Sequence, residues 1–506
     1  MDFHLFGIQH LIPIIYLAKP VVVWKELQWE SGIGIGTRRM FIECRSYAKN
    51  YFLRVYDRAV DNSRYNHIIL YSFSIMRVLR LFWSYGLRGQ STKQIHRKFS
   101  KVLGIETSCD DTGCAIVDTN RNILGEYLHS QQQIHLDFGG IIPPVARDLH
   151  KQNIDNVVTQ ALHRAQVSLN DLDAIAVTVK PGLPLSLLVG MNYAKELCKK
   201  TLKPLIPIHH MEAHALTARL VDHNLQLPFL VLLLSGGHCL LAIVKNVNEF
   251  LLLGQSIDDA PGEALDKAAR RLKLKNMKEF RNCAGGQAIE KAALKGDPRA
   301  IDLGTFMTNY KDCNFSYSGL KNAIRSQIIK SEKKHELKGD EIIPEVFDLC
   351  ASIQYALTKH ICTRVQRAIE FIDRTQLLPD TNRTLVVSGG VASNMFIRKY
   401  LNLMCDEVNF KLIVPPPKLC TDNGIMIAWN GIEKFNEHID IFNHLDLDKI
   451  DIQSKAPLGK NLSSQITDME IRCPSGFISV DNNNKITIIG MILYITAFGF
   501  RWKAKM

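Results

Sequence analysis

Residues 229–246 have the sequence FLVLLLSGGHCLLAIVKN, in which a Ser-Gly-Gly turn separates two apolar runs. Short apolar runs bounded by glycine are typical of buried strands. The stretch therefore predicts a strand, a polar turn at 235–238 and a returning strand. Residues 383–401, RTLVVSGGVASNMFIRKYL, repeat the strand and the Ser-Gly-Gly turn and then continue with helical spacing. The similar turns predict an internally duplicated fold with two lobes.

A third polar turn lies upstream, in GIETSCDDTGCAIVD at 104–118, which predicts a hairpin with an Asp-rich turn. Between this hairpin and residue 229, helical spacing at 153–165 and 187–200 alternates with a buried-strand pattern at 172–179. Alternating elements of this kind imply helices packed on a largely parallel or mixed sheet. We therefore expect an α/β protein whose three polar turns converge on one ligand.

The glycine turns favour an anionic ligand. Paired glycines let backbone N–H groups approach an anion without interference from a side chain. At 388–394, SGGVASN, the start of the following helix adds free N–H groups and the positive end of its dipole. One such turn is weak evidence, because glycine often only ends a strand. Two matching turns and the Asp-rich hairpin together predict a nucleotide cleft.

A candidate metal site lies in HHMEAH at 209–214. On a helix, His210 and His214 project from the same face and can share one ion. In a zinc protease the glutamate directly follows the first histidine. Glu212 is one position later, roughly 200° around the helix from His210, and should point away. The alternative is a helix with two partly exposed histidines. The best third ligand is Asp422, which opens a helix in LCTDNGIMIAWNGI at 419–432.

Charge and cysteine content limit the function classes. The net charge is +12, but residues 1–100 carry 15 Lys and Arg against 6 Asp and Glu, so the rest is nearly neutral. A polyanion would therefore be held by local patches. The twelve cysteines contain no CxxC pair, which predicts reduced thiols in the cytosol or an organelle matrix.

Both ends of the chain differ from its middle. Residues 76–100, MRVLRLFWSYGLRGQSTKQIHRKFS, contain basic and apolar residues but no acid, as mitochondrial transit peptides do. We expect Met76 to be the working start and 1–75 to be a non-native or disordered extension, the alternative being a basic disordered arm. Residues 460–506 are expected to form a poorly packed tail or to be a second non-native extension, with an apolar run at 486–500 that is short for a membrane span.

The middle of the chain resembles the TsaD family of tRNA N6-adenosine threonylcarbamoyltransferases, especially its mitochondrial branch. The resemblance runs from about Lys101 to about Glu433 and is carried by motifs in family order: GIETSCDDT, HHMEAHA, LLLSGGH, DDAPGEALDK, FSYSGLK, SGGVASN and CTDNG. It implies two ribonuclease-H-like lobes of the actin and sugar-kinase-like fold around a nucleotide cleft. We expect lobe I at 101–225 and lobe II at 226–440, with the helix after Asp422 packing back on lobe I.

The resemblance also implies roles for single residues. The implied metal ligands are His210, His214 and Asp422. The residues implied to line the phosphate and threonylcarbamoyl region are Leu234, Ser235, Gly236, Gly237 and His238. Those implied to hold the nucleoside are Asp266, Gly286 and Asn394, and Asp110 matches a catalytic position near the reacting group. The chain departs from the family pattern at Lys180, at Pro261 and in CAGGQ at 283–287, so the match at Gly286 is the least secure.

The implied reaction moves a threonylcarbamoyl group from threonylcarbamoyl-AMP to N6 of the adenosine beside the anticodon, position 37, in tRNAs that read codons beginning with A. One divalent cation, iron or zinc, is implied as cofactor. The implied partners are mitochondrial tRNA, a YrdC-type synthase that supplies the donor, and a second copy in a homodimer in the mitochondrial matrix. No stable membrane insertion is expected. The alternatives are a metallopeptidase and an ATP-binding kinase or chaperone-like module.

A basic run predicts where tRNA would bind. Residues 267–281, KAARRLKLKNMKEFR, contain seven basic residues and one acid. A solvated helix face explains such a run equally well. If it contacts RNA, charge reversal at Arg270 and Arg271 should weaken tRNA binding and its salt dependence.

Overall fold

The computed structural model describes residues 100–138 and 140–472, and the backbone of two short paired strands, β12 (Ser479–Val480) and β13 (Ile486–Thr487). The predicted extension at 1–75 and, apart from Ser100, the predicted transit peptide at 76–100 lie outside the described residues. The same holds for most of the predicted tail beyond residue 472. Among the described helices, none is long and apolar enough to span a bilayer.

Lobe I is built on a five-stranded sheet in the order β3-β2-β1-β4-β5. Strands β1 to β3 are antiparallel neighbours, whereas β1, β4 and β5 run parallel. The strands are β1 (Lys101–Glu106), β2 (Asp111–Asp118), β3 (Ile123–Ser130), β4 (Ala174–Lys180) and β5 (Leu205–His209). The helices are α1 (Gln132–Asp137), α2 (Pro143–Ala165), α3 (Pro184–Thr201) and α4 (His210–Val221). The helix expected at 153–165 thus begins earlier, where Pro143 and Pro144 suit a first turn that needs no N–H.

Lobe II repeats this order in a second sheet, β10-β9-β6-β7-β8, and β11 extends its edge. Strands β6 to β8 are again antiparallel, and β6, β9 and β10 are parallel. The strands are β6 (Phe229–Leu234), β7 (Cys239–Asn246), β8 (Glu249–Gln255), β9 (Thr384–Ser388), β10 (Lys411–Ile413) and β11 (Lys460–Asn461). The helices that follow lobe I in the chain are α5 (Pro261–Arg271), α6 (Gly285–Ala293), α7 (Ser318–Lys334), α8 (Val346–Thr375), α9 (Met395–Glu407), α10 (Pro417–Cys420), α11 (Gly424–Asn436) and α12 (Ser463–Asp468).

The two sheets have the same strand order and the same pattern of strand directions, which confirms the predicted duplicated α/β fold with two ribonuclease-H-like lobes. One Ser-Gly-Gly turn lies at the end of β6 and the other at the end of β9. These two strands are parallel neighbours at the centre of the sheet of lobe II. Their carboxyl ends therefore meet at one edge of the sheet, where ligands of open α/β sheets bind.

Helix α11 joins the lobes, because it follows β10 of lobe II in the chain but packs on the sheet of lobe I. The contact is close at glycines. A Cβ on Gly104 of β1 would lie 2.2 Å from the backbone nitrogen of Ala428, and one on Gly113 of β2 would lie 2.8 Å from that of Gly424. This packing fixes the first turn of α11 against the hairpin of lobe I. It thereby places Asp422, two residues before the helix, beside α4.

Residues after 440 complete both lobes. Phe442 pairs with Leu205 at the edge of β5, and Leu447 and Ile450 enter the core of lobe I. Ile466 and Ile471 are buried in the core of lobe II. The described part of the predicted tail, 460–472, is thus packed on lobe II. Its apolar side chains enter the core, and its strand β11 pairs with the edge strand β8.

Candidate metal and nucleotide site

Helix α4 carries the two histidines of the candidate metal site. The helix starts at His210 because the side chain of His209 accepts a hydrogen bond from the backbone N–H of Met211 at 3.2 Å. His210 and His214 follow one another by one turn, and their ring centroids are 4.6 Å apart. Both side chains are buried. Two imidazoles therefore face the same point, as the spacing predicts.

Asp422 reaches this point from the loop before α11. Its neighbour Asn423 caps α11 by accepting a hydrogen bond from the N–H of Met426 at 2.9 Å. Oδ1 of Asp422 lies 3.1 Å from Nε2 of His214 and 3.4 Å from Nε2 of His210. One nitrogen or oxygen atom from each of the three residues lies within 4.8 Å of the others. The structure thus brings together the three predicted metal ligands.

The electrostatics of this cluster suit a cation. Burial opposes the charge on Asp422, yet His210 and His214 hold the pKa of its carboxyl well below the usual value. Burial alone would lower the pKa of His210, but the carboxylates of Asp422 and Glu106 raise it to about 10. Charges that stabilise a proton on His210 also stabilise a metal ion at its Nε2. Two imidazole nitrogens and one carboxylate form a set that iron and zinc accept, with positions left for substrate oxygens.

Glu106 is a member of the site that sequence reasoning missed. It ends β1 with no exposed surface, and its Oε2 lies 3.2 Å from Nδ1 of His210. Thr178 also donates to Oε2, and the N–H of Ser108 donates to Oε1, each at 2.5 Å. A carboxylate behind a metal-binding histidine fixes the ring and its tautomer. In the sequence, Glu106 is an acidic residue at the end of an otherwise apolar strand. Hydrophobic periodicity alone does not reveal that such a residue supports a metal site.

Glu212 points away from the histidines, as the helical spacing predicts. Its Oε2 lies 3.5 Å from Nζ of Lys434, which is buried on α11. Glu212 therefore cannot reach a water molecule bound between the imidazoles. This position is incompatible with the general base of a zinc protease.

The two Ser-Gly-Gly turns of lobe II touch one another. Gly389 has φ +100°, and a Cβ on it would lie 2.3 Å from the carbonyl oxygen of Leu234. In the first turn the N–H of Ser235 donates to the carbonyl oxygen of His238 at 2.9 Å. Gly236 and Gly237 face open space at their Cβ positions. The backbone of the first turn is therefore accessible to a ligand, as predicted for a phosphate site.

His238 connects this turn with the metal ligands. Burial and then the charge of His210 lower the pKa of His238 to about 4. The positive charge of His210 contributes to this shift, as other cations do for histidine. His238 is therefore a neutral hydrogen-bonding group at the end of the glycine turn.

Of the predicted nucleoside residues, Asp266 lines a cleft of about 530 Å³, whereas Gly286 and Asn394 are not among its described lining residues. Asp110 lines it from lobe I, and Asp266 and Gly285 line it from lobe II. Oδ1 of Asp266 accepts a hydrogen bond from the N–H of Gly286 at 3.0 Å, so the CAGGQ segment keeps contact with Asp266 despite its unusual sequence. Burial raises the pKa of both Asp110 and Asp266.

Asn394 is buried at the start of α9. Its Oδ1 accepts from the N–H of Ile397 at 3.0 Å, and its Nδ2 donates to Gln354 at 2.9 Å. Both polar ends of the side chain thus bind protein groups. The structure gives Asn394 a helix-capping role, and its contact with the nucleoside stays a prediction.

The basic run at 267–281 is only partly helical, since α5 ends at Arg271. Arg271 forms an ion pair with Glu332 at 2.8 Å, and Lys273 reaches the same carboxylate at 3.2 Å. Arg270, Lys273 and Lys275 line the 530 Å³ cleft. Charge reversal at Arg271 would therefore break its ion pair with Glu332 in addition to any RNA contact.

Comparison with known proteins is consistent with this site. A family model described as TsaD, tRNA N6-adenosine threonylcarbamoyltransferase, matches residues 122–429. A Xenopus tropicalis protein named tRNA N6-adenosine threonylcarbamoyltransferase, mitochondrial, is 50% identical over 371 residues, which are 73% of this chain and 91% of the relative. Proteins of the same name from Danio rerio and Homo sapiens are 47% and 48% identical over 78% and 74% of this chain and 95% and 89% of their own lengths.

Proposed function

Because this chain belongs to the tRNA N6-adenosine threonylcarbamoyltransferase family, we propose that it transfers a threonylcarbamoyl group from threonylcarbamoyl-AMP to N6 of an adenosine in tRNA. The acceptor is the adenosine next to the anticodon, at position 37, in mitochondrial tRNAs that read codons beginning with adenine. The compartment is the mitochondrial matrix, and a YrdC-type synthase supplies the donor. The mitochondrial names of the similar vertebrate proteins support this location.

The observation that carries this proposal is the position of the metal candidates beside the glycine turns. His210, His214 and Asp422 form one largely buried cluster, and the charge of His210 lowers the pKa of His238 at the end of the Ser-Gly-Gly turn. A donor whose phosphate lies at the turn would present its threonylcarbamoyl carbonyl toward this cluster. A divalent cation held there, iron or zinc, would polarise that carbonyl or neutralise the phosphate charge.

The protein groups have distinct tasks in the transfer. The exocyclic N6 amine is a weak nucleophile, so most of the rate enhancement must come from placement and charge stabilisation. The backbone N–H groups of Gly236 and Gly237 would hold the phosphate, and Asp266 would orient the nucleoside with Gly286 beside it. N6 attacks the carbonyl, AMP departs, and the carboxylate of Asp110 would accept the proton that N6 loses.

The tRNA would approach over the mouth of the 530 Å³ cleft. Arg270 and Lys275 line this cleft, and Lys278 and Arg281 are exposed nearby in sequence. Cations at such a position would contact phosphates of the anticodon arm and contribute a salt-dependent share of the affinity. We also propose a homodimer, which rests on the family resemblance and is tested by sedimentation velocity.

The direct test supplies purified protein with threonylcarbamoyl-AMP and unmodified tRNA and measures the modified nucleoside by mass spectrometry. The proposal expects product with the wild type and none with His210→Ala. A peptidase assay on the same preparations tests the metallopeptidase alternative. Peptide cleavage that disappears in His210→Ala, without nucleoside formation in the wild type, would favour a metallopeptidase.

A further inference from the structure

A second cavity, of about 120 Å³, lies between α8 and the loop at 304–308. The residues that α8 contributes recur on one face of the helix, and they include Lys359, His360, Thr363, Arg364 and Arg367. Among the described residues that line this cavity there is no carboxylate. The charged side chains in the lining of the cavity are therefore cationic, and they are Lys359, Arg364 and Arg367.

The two arginines are buried, since Arg364 is 1% and Arg367 3% exposed. Their guanidinium groups both donate to the carbonyl oxygen of Asp312, at 3.0 and 2.6 Å. The carboxylate of Asp312 lies 3.7 Å from Arg364 and is itself bound by Asn314. Within the part of the chain that the structure describes, Arg367 has no ion pair. A buried cation without a counterion is costly, so an anion in the cavity would be stabilised.

Lys359 adds a third cation. Its ammonium group has no hydrogen bond or ion pair to any residue that the structure describes, although the side chain is half-buried. An ammonium group that is not bound by protein acceptors can donate its three N–H groups to a ligand. Lys359 therefore has the character of a ligand-binding group rather than of a structural one.

The loop that faces α8 supplies further donors. Gly304 and Met307 have φ of +82° and +54°, which turns the backbone sharply within five residues. The backbone N–H groups of Thr305, Phe306 and Thr308 donate to no backbone carbonyl oxygen of the described residues. Successive unpaired N–H groups next to a left-handed residue form a typical anion-binding concavity.

His360 provides one more donor. Its Nε2 accepts a hydrogen bond from the N–H of Ser316 at 3.3 Å, and burial lowers its pKa to about 3. The neutral ring therefore carries its proton on Nδ1, which is a donor. Lys359 and Arg367 thus lie at the cavity without an ion pair to a residue that the structure describes.

We propose that this cavity binds a phosphate-type oxyanion, either as free phosphate or as a phosphate of an RNA backbone. Its volume is under a quarter of that of the nucleoside cleft, which suits one tetrahedral group rather than a nucleotide. Arginine, lysine and backbone N–H groups are the donors that phosphate oxygens prefer. The site lies on α8 and the 304–308 loop, outside the residues that line the cleft.

The test measures binding of inorganic phosphate to the full chain at constant ionic strength, with chloride as the replaced anion. Titration calorimetry should give saturable binding to the wild type. Lys359→Gln should weaken it roughly tenfold, the effect of losing one charge-assisted hydrogen bond. This variant should fold normally, because Lys359 has no partner among the described residues. The control Lys399→Gln, an exposed lysine on α9, should bind like the wild type.

A competition arm distinguishes the two sources. If phosphate raises the apparent Kd for unmodified tRNA in the wild type more than in Lys359→Gln, the occupant is an RNA phosphate. If tRNA binding is unaffected while phosphate still binds, the occupant is free phosphate. The absence of saturable binding to the wild type, or equal phosphate affinity in the wild type and Lys359→Gln, would overturn the proposal.

Discussion

Nδ1 of His210 lies 3.2 Å from Oε2 of Glu106, a carboxylate with no exposed surface. Nδ1 donates to this carboxylate, so Nε2, which faces Asp422, is the ring nitrogen that would release its proton to a metal ion. The glutamate thus holds the ring in the tautomer that a metal ion requires. Glu106 is a positioning residue, because it acts on the site through His210.

Replacing Glu106 should weaken metal binding more than folding. Glu106→Gln introduces an amide where Ser108, Thr178 and His210 all need an acceptor. We expect the affinity for zinc to fall by about 10–100-fold, the usual effect of removing such a partner. The control Asp118→Asn removes another buried carboxylate of lobe I, whose hydrogen-bond donors among the described residues are Asn120 and Asn122. Equal zinc affinities in the two variants, measured by chelator competition, would contradict this role.

An ion pair and a hydrogen bond hold α4 in place against α11. Nε of Arg219 lies 2.8 Å from Glu433, and Nε1 of Trp429 donates to the carbonyl oxygen of Leu216 at 3.1 Å. Arg219→Met leaves Glu433 buried and unpaired, so we expect a loss of roughly 2–3 kcal/mol of unfolding free energy. Urea denaturation measures this loss.

The matched double variant separates charge from packing. Arg219→Met with Glu433→Leu removes both charges and should recover most of the stability, because a buried pair is replaced by apolar contact. A double variant as unstable as Arg219→Met alone would show that the pair acts mainly through packing.

The contact between the two Ser-Gly-Gly turns predicts different tolerance at adjacent glycines. Gly389→Ala adds a Cβ that meets Leu234 in a left-handed backbone, whereas Gly390→Ala adds one into open space. We expect Gly389→Ala to cost about 1–3 kcal/mol, and Gly390→Ala to keep the wild-type melting temperature. Thermal unfolding of both variants checks this, and equal melting temperatures would count against the close contact.

The stability of lobe II should depend on pH through His360. Burial lowers the pKa of His360 to about 3, while an unfolded histidine titrates near 6.5. Between these values the unfolded chain binds the extra proton, so stability is complete above pH 6.5 and falls as the pH decreases toward 3. The slope from this group is about 1.4 kcal/mol per pH unit.

The measurement compares urea unfolding of the wild type and His360→Gln between pH 5 and 7.5 in phosphate-free buffers. The amide oxygen of the glutamine can still accept from Ser316, but it does not titrate. The variant should therefore lose less stability on acidification than the wild type. Parallel pH profiles would show that His360 does not contribute.

The sequence predicted those parts of the molecule that local patterns specify. Strands β6, β7 and β9 follow from apolar runs that end in glycine, and the facing of His210 and His214 follows from helical spacing. Asp422 is predicted as the third ligand because it is an acidic residue at the start of a helix, and the family resemblance implies the same residue, although no local pattern places it beside α4. Glu106 was missed because its role comes from burial, and the pairing of Arg271 with Glu332 arises only when α5 meets α7.

The central claim is that His210, His214 and Asp422 hold one catalytic divalent ion. The most direct measurement determines metal content and zinc affinity of the chelator-treated, remetallated wild type and Asp422→Ala, together with threonylcarbamoyl transfer to unmodified tRNA. We predict one ion per wild-type chain, and loss of both the ion and the transfer in Asp422→Ala at unchanged secondary structure. Stoichiometric metal and undiminished transfer in Asp422→Ala would contradict the claim.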